Sequence, residues 1–156
     1  MIDSGSMYNH TQKALWFLLL YAIGVLMIVV SWSLFEEQQI AAAVLLMAGL
    51  IMLMLATSFQ HLAVADRGDH LLIRFGPLPL FRKRIRYEDI REVETGRTLL
   101  LDGWGIHLSI RGGWVWNLSG RDCVVIYLHD GVVRIGTDDP ENLAQFLKRK
   151  IGNPSR

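Results

Sequence analysis

Residues 14–35 read ALWFLLLYAIGVLMIVVSWSLF, and residues 38–65 read QQIAAAVLLMAGLIMLMLATSFQHLAVA. Neither stretch carries an Asp, Glu, Lys or Arg, and only Glu36 and Glu37 separate them. An α-helix rises about 1.5 Å per residue, so roughly 20 apolar residues cross a hydrocarbon core of about 30 Å. Both stretches are long enough. The connection at residues 36–39 leaves room only for an antiparallel hairpin. A buried helix of a soluble domain would be shorter and show a polar face. A signal peptide would have a shorter apolar core and a small-residue cleavage site. Trp16, Trp32 and Phe35 instead bracket the first stretch, as an aromatic belt does. The reading is an N-terminal tail (residues 1–13) followed by a transmembrane hairpin (residues 14–60) with helices at 14–35 and 40–60.

Basic residues give the orientation. The chain has 16 Lys and Arg; Lys13 precedes the first helix, none lies between the helices, and the rest follow from Arg67 onward. By the positive-inside rule both termini lie in the cytoplasm and the 36–39 turn faces outside. The expected localisation is the cell (inner) membrane, multi-pass, with a cytoplasmic C-terminal domain over residues 61–152 and a short tail at 153–156. That domain has a size that folds alone. After Ala65 there are 15 basic and 12 acidic residues, a net of +3. This balance is too mild to argue for nucleic acid, and it suits a domain beside an anionic leaflet. The single Cys123 excludes an internal disulfide and sits in an apolar run, as a buried thiol does.

Inside the hairpin, Ala42, Gly49 and Ala56 recur every seven residues, and Gly24 and Ser31 share that spacing in the first helix. Small residues on one stripe let helix backbones approach in lipid. The stripe closes the hairpin or docks another membrane protein, and closure is the simpler use. Neither span holds a charged group or a histidine, so transport by this hairpin alone is not expected.

Beyond residue 60 the pattern changes to short alternating runs. Strands are expected at 61–66, 70–75, 80–87 and 90–97, with one or two more within the Gly- and Trp-rich segment 101–119. A hairpin at 123–129 and 132–136 crosses Asp130-Gly131, a strong turn signal. The last element is a helix. Asp139 is its N-cap and Pro140 its first position. Leu143, Phe146, Leu147 and Ile151 share one face. About seven strands and a final amphipathic helix predict a small barrel or sandwich with one end covered.

The chain resembles the bacterial pleckstrin-homology-like membrane proteins. The carrying residues are Leu72-Ile73-Arg74-Phe75-Gly76-Pro77, Ile85 with Tyr87-Glu88-Asp89-Ile90, Gly103-Trp104-Gly105-Ile106, and the run Val133 to Glu141 that leads into the helix. The resemblance implies a membrane α-helical hairpin plus a mainly-β domain. The domain would be a split barrel of about seven antiparallel strands capped by the C-terminal helix. It implies no defined activity, because folds of this kind host lipid binding, peptide binding and scaffolding.

No catalytic, cofactor-binding or metal-ligating constellation is legible. The glycines at 103, 105, 112 and 113 do not form a phosphate loop, and the five histidines lack metal-ligand spacing. Two surface features remain. Arg82, Lys83, Arg84 and Arg86 crowd one strand; arginine forks suit phosphate, but a solvated edge strand is the favoured reading, since Glu88, Asp89, Glu92 and Glu94 follow and would cancel the field. Trp114 and Trp116 are expected in the core, and Trp104, between two glycines, is the tryptophan expected to touch headgroups or a partner. The leading expectation is a non-catalytic, membrane-anchored module that scaffolds a membrane or cytoplasmic protein partner, as an accessory or assembly subunit. Recognition of anionic lipid through the 82–86 strand comes second. A subunit whose active residues lie on another chain comes third. Homo-oligomerisation is open to both the stripe and an uncovered sheet edge.

Overall fold

The computed structural model of the chain describes residues 7–78, 80–99 and 105–152. It divides into two compact units. The smaller comprises Ala14–His61 and Phe75–Phe81. Its core is a pair of helices, α1 (Trp16–Leu34) and α2 (Gln39–Ser58), both long and apolar enough to cross a membrane. At 19 and 20 residues each spans about 30 Å. The fully buried positions of the pair are small residues, and the outer faces expose Leu18, Leu26, Val29, Val44, Met47 and Leu50.

Contact between the helices depends on two glycines. A Cβ on Gly49 would lie 2.8 Å from an Ile28 side-chain carbon and 2.9 Å from the Gly24 carbonyl oxygen. A Cβ on Gly24 would meet mainly the mobile end of Leu53. Ala42, Ala56 and Ser31 are also buried, and the Ser31 hydroxyl donates to the Ala42 carbonyl at 2.7 Å. The small-residue stripe is therefore occupied within the hairpin. Near the end of α2, Tyr21 and Thr57 share a 2.7 Å hydrogen bond, and the Gln60 amide donates to the Tyr21 hydroxyl at 2.9 Å. Phe59 packs on Phe75 and Phe81, with ring centroids 5.1 and 5.6 Å apart. Gly76 lies against the α2 terminus: its φ is +57° and a Cβ there would fall 2.3 Å from the Ser58 carbonyl oxygen. Only glycine fits such an approach.

Among the described residues the larger unit carries nine strands and a helix. A four-stranded sheet runs in the order β1 (Asn9–Lys13), β2 (His61–Asp66), β3 (His70–Phe75), β4 (Arg82–Arg86). A five-stranded sheet contains β5 (Ile90–Arg97), β6 (Gly105–Leu108), β7 (Trp114–Asn117), β8 (Asp122–Leu128) and β9 (Val132–Gly136), in the order β5-β8-β9-β7-β6. Neither sheet closes on itself. Strands β5, β6 and β9 run antiparallel to their partners β8, β7 and β8, whereas β7 and β9 pair in parallel. The core holds Leu62, Val64, Leu71, Ile73, Ile85, Val93, Val115, Val124, Ile126, Val133 and Ile135. Helix α3 (Pro140–Gly152) buries Leu143, Ala144, Phe146 and Leu147 and packs on β5 and β8.

Two departures from the sequence reading stand out. Among the described residues there are nine strands rather than about seven, in two open sheets, and the β7–β9 pair is parallel where antiparallel pairing was expected. The stretch read as a tail contains β1, whose polar sequence NHTQK shows no alternation. Its side chains fasten it instead. His10 hydrogen-bonds Asp138 at 2.5 Å, the Gln12 amide donates to the Ser119 carbonyl at 3.0 Å, and the Tyr8 ring stacks on Phe146.

Candidate functional site

Strands β3 and β4 are joined through the Gly76–Pro77 break, and their register brings together residues distant in sequence. Arg74 stands opposite Arg82, Leu72 opposite Arg84 and His70 opposite Arg86. Alternation puts the four arginines on one exposed face and buries Leu71, Ile73 and Ile85 on the other. Lys83 stands opposite Ile73 and is half-buried, so it does not join the arginine face. Residues directly opposite across an antiparallel pair have Cβ atoms about 5 Å apart, and like charges there are unfavourable. The Arg74–Arg82 pair is such a juxtaposition, on an edge strand.

Acids compensate one end of this face and not the other. Arg86 pairs with Glu88 at 2.8 Å and with Asp89 at 3.2 Å, and these carboxylates raise its already high pKa. His70 hydrogen-bonds Asp69 at 2.6 Å, and that bond holds the Asp69 carboxyl below its ordinary value. Arg74, Arg82 and Arg84 form no ion pair among the described residues, although the Arg84 charge also helps to hold the Asp69 carboxyl down. Glu92 and Glu94 lie on β5, in the other sheet, where Glu94 accepts the Tyr127 hydroxyl at 3.1 Å. The cancellation expected from the sequence thus reaches Arg86 alone. What remains is three exposed guanidiniums within two adjacent strands. Each offers a planar fork suited to the oxygens of a phosphate.

Arg74 is the residue that sequence reasoning missed. In the sequence it stands only within the run Leu72 to Pro77 and among the basic residues from Arg67 onward. Its membership of the face required the hairpin register, which only pairing about the Gly76–Pro77 break supplies. Arg82, Arg84 and Arg86 were visible directly from their spacing of two.

The tryptophans separate. Trp116 is buried, but Trp114 is 45 % exposed, which corrects its placement in the core. It sits at the end of β7 opposite exposed Leu108 at the end of β6, where the strand pair runs out into a turn. Trp104 lies outside the described residues.

An ion pair between partly exposed Lys150 and buried Asp66 fastens α3 to the four-stranded sheet. Asp66 accepts from Lys150 at 2.9 Å, from the Tyr87 hydroxyl at 2.7 Å and from the Gly68 N–H at 2.8 Å. Burial alone would raise the Asp66 pKa, but these donors outweigh it and hold the carboxyl below its ordinary value. The same burial, with the Asp66 charge beside it, pushes the Tyr87 hydroxyl far up, and burial next to Asp139 does so for Tyr8. Lys150 also lies over the Tyr87 ring, 5.3 Å from its centroid. Every polar group of this cluster is engaged by a neighbour, so it reads as a fastening rather than a reactive centre. Cys123 is fully buried. No protein-family model matches the chain, and no curated protein sequence matches it.

Proposed function

We propose that this chain is a non-catalytic, two-pass membrane protein whose C-terminal domain recognises anionic lipid headgroups through Arg74, Arg82 and Arg84. The observation that carries the reading is the cross-strand arginine face, uncompensated at one end. Like charges held opposite one another on an exposed strand pair are unfavourable until an anion bridges them. The location supports the same ligand. Arg74 and Arg82 directly flank, in sequence, the 75–81 segment, which belongs to the same compact unit as the helix pair. Lys13 and Arg67 near the helix ends favour a cytoplasmic side for both termini, the leaflet that carries anionic lipid. A two-helix hairpin, a β domain and a final helix are the parts that a pleckstrin-homology-like membrane protein would have, which is compatible with this reading.

Basic residues near an anionic leaflet each contribute about 1 kcal/mol, so three contribute about 3 kcal/mol, or roughly a hundredfold in retention. The test is native mass spectrometry of the full-length chain released from mixed phosphatidylcholine and phosphatidylglycerol micelles. Wild type is expected to retain phosphatidylglycerol selectively. The triple variant Arg74→Glu, Arg82→Glu, Arg84→Glu should lose that selectivity while keeping its fold by circular dichroism. Equal selectivity in both would reject the reading.

A protein-scaffolding role, as an accessory subunit of a membrane complex, is the second reading. Two open sheets favour it, because the outer edges of β4 and β6 can accept an added strand. Affinity purification from native membranes distinguishes the two: a stoichiometric protein partner that survives arginine reversal supports scaffolding.

A further inference from the structure

The β6–β7 turn presents apolar side chains outward. Ile110 is 85 % exposed, Leu108 64 % and Trp114 45 %. A soluble surface seldom gathers such residues without use. The turn is rigidly built. The Ser109 N–H donates to the Gly113 carbonyl at 3.0 Å and the Gly112 N–H to the Ser109 carbonyl at 2.9 Å. The Arg111 N–H donates to the Ser109 hydroxyl at 3.2 Å, and the Arg134 guanidinium donates to the Gly112 carbonyl. Gly112 and Gly113 have φ of +77° and +86°, and a Cβ on Gly113 would fall 2.3 Å from the Val132 carbonyl oxygen. The glycines fix the turn against β9, and the fixed turn holds Ile110 away from the core.

We infer that this hairpin tip inserts into the interfacial region of the bilayer, with Ile110, Leu108 and Trp114 among the upper acyl chains and Arg111 at the headgroups. Three arguments favour lipid over a protein occupant. The patch is three side chains at the tip of an edge hairpin, whereas a stable protein interface buries about 800 Å² on each partner. Tryptophan with aliphatic neighbours and a basic residue is the composition of interfacial membrane contacts. Residues 105–116 contain no acid, and Arg111 in the turn and Arg134 against it supply positive charge, which suits an anionic surface. The two apolar helices of the same chain supply a covalent anchor that keeps the local lipid concentration high. The inference does not depend on the arginine face of β3 and β4.

The test places one probe at a time on the full-length chain in phosphatidylcholine–phosphatidylglycerol nanodiscs, one copy per disc. Ile110→Cys and, as control, Gln145→Cys on the exposed side of α3 are labelled with a nitrobenzoxadiazole fluorophore. Both positions are exposed, so labelling spares the core, and fully buried Cys123 does not compete. The probe at 110 is expected to shift to the blue and to be quenched severalfold more strongly than the probe at 145 by lipids bearing a nitroxide near the headgroup. Iodide in the water should quench 145 and spare 110. Quenching of 110 by iodide to the same degree as 145 would overturn the inference. Protection of 110 from both iodide and nitroxide lipid would also overturn it, by showing a protein contact instead.

Discussion

Asp66 is the single charge whose removal should cost the β domain most. Its side chain is almost wholly buried and accepts from Lys150, Tyr87 and the Gly68 N–H. Lys150 is partly solvated, so its loss of a partner is less severe than in a dry core. Asp66→Ala should therefore destabilise the domain by about 1–3 kcal/mol, measured by urea unfolding. The sign of the pH dependence follows from the depressed pKa. The carboxylate's contribution is fully present above its ordinary value near 3.8 and fades as pH falls through the lower folded value. Wild type should lose stability below about pH 4 more steeply than Asp66→Asn, which has no carboxyl to protonate there. Tryptophan gives a second contrast at this scale. Trp116→Ala removes a buried ring and should cost about 3–5 kcal/mol, while the same change at exposed Trp114 should leave unfolding nearly unchanged. From sequence the two are alike, because they share a strand and a face. The strand pair ends at Leu108 and Trp114, and that boundary decides which ring is covered.

Among the elements, the helix pair makes the sharpest prediction. A Cβ on Gly49 runs into the Gly24 backbone, which cannot yield, whereas a Cβ on Gly24 meets mainly the flexible tip of Leu53. Gly49→Ala should disrupt close packing of α1 on α2 more than Gly24→Ala does, by about 1–3 kcal/mol. Disulfide trapping between cysteines placed at Ser31 and Ala42 would register the difference as slower cross-linking. The helices were legible because absence of charge over 20 residues admits few other structures. Strands β2, β3, β5 and β9 were legible from alternation, and α3 from its Asp139-Pro140 start. Strand β1 was not, since Asn9–Lys13 gains its place from His10, Gln12 and Tyr8 reaching partners more than 100 residues away. The parallel pairing of β7 with β9 was equally hidden, because no local pattern records which strand neighbours which.

At the scale of the whole molecule, a pair of helices apolar enough to cross a membrane is joined to a β domain that exposes one arginine face and one apolar tip. The arginine face was half legible: three members follow from spacing in β4, and the fourth needs the β3–β4 register. The expected neutralisation by acids 88–94 failed for a physical reason. The chain turns through Tyr87–Asp89 and leaves the four-stranded sheet, so Glu88 and Asp89 reach Arg86 alone and Glu92 and Glu94 depart with β5. That division supplies an internal control for the central claim. Arg82 and Arg86 lie on one strand and one face, but among the described residues Arg86 forms side-chain ion pairs and Arg82 forms none. The most direct measurement is phosphatidylglycerol retention by full-length Arg82→Gln and Arg86→Gln across a salt series. Headgroup recognition by the uncompensated arginines predicts a clear loss for Arg82→Gln with a shallower salt dependence, and retention close to wild type for Arg86→Gln. Equal losses in the two variants, or none in either, would contradict it.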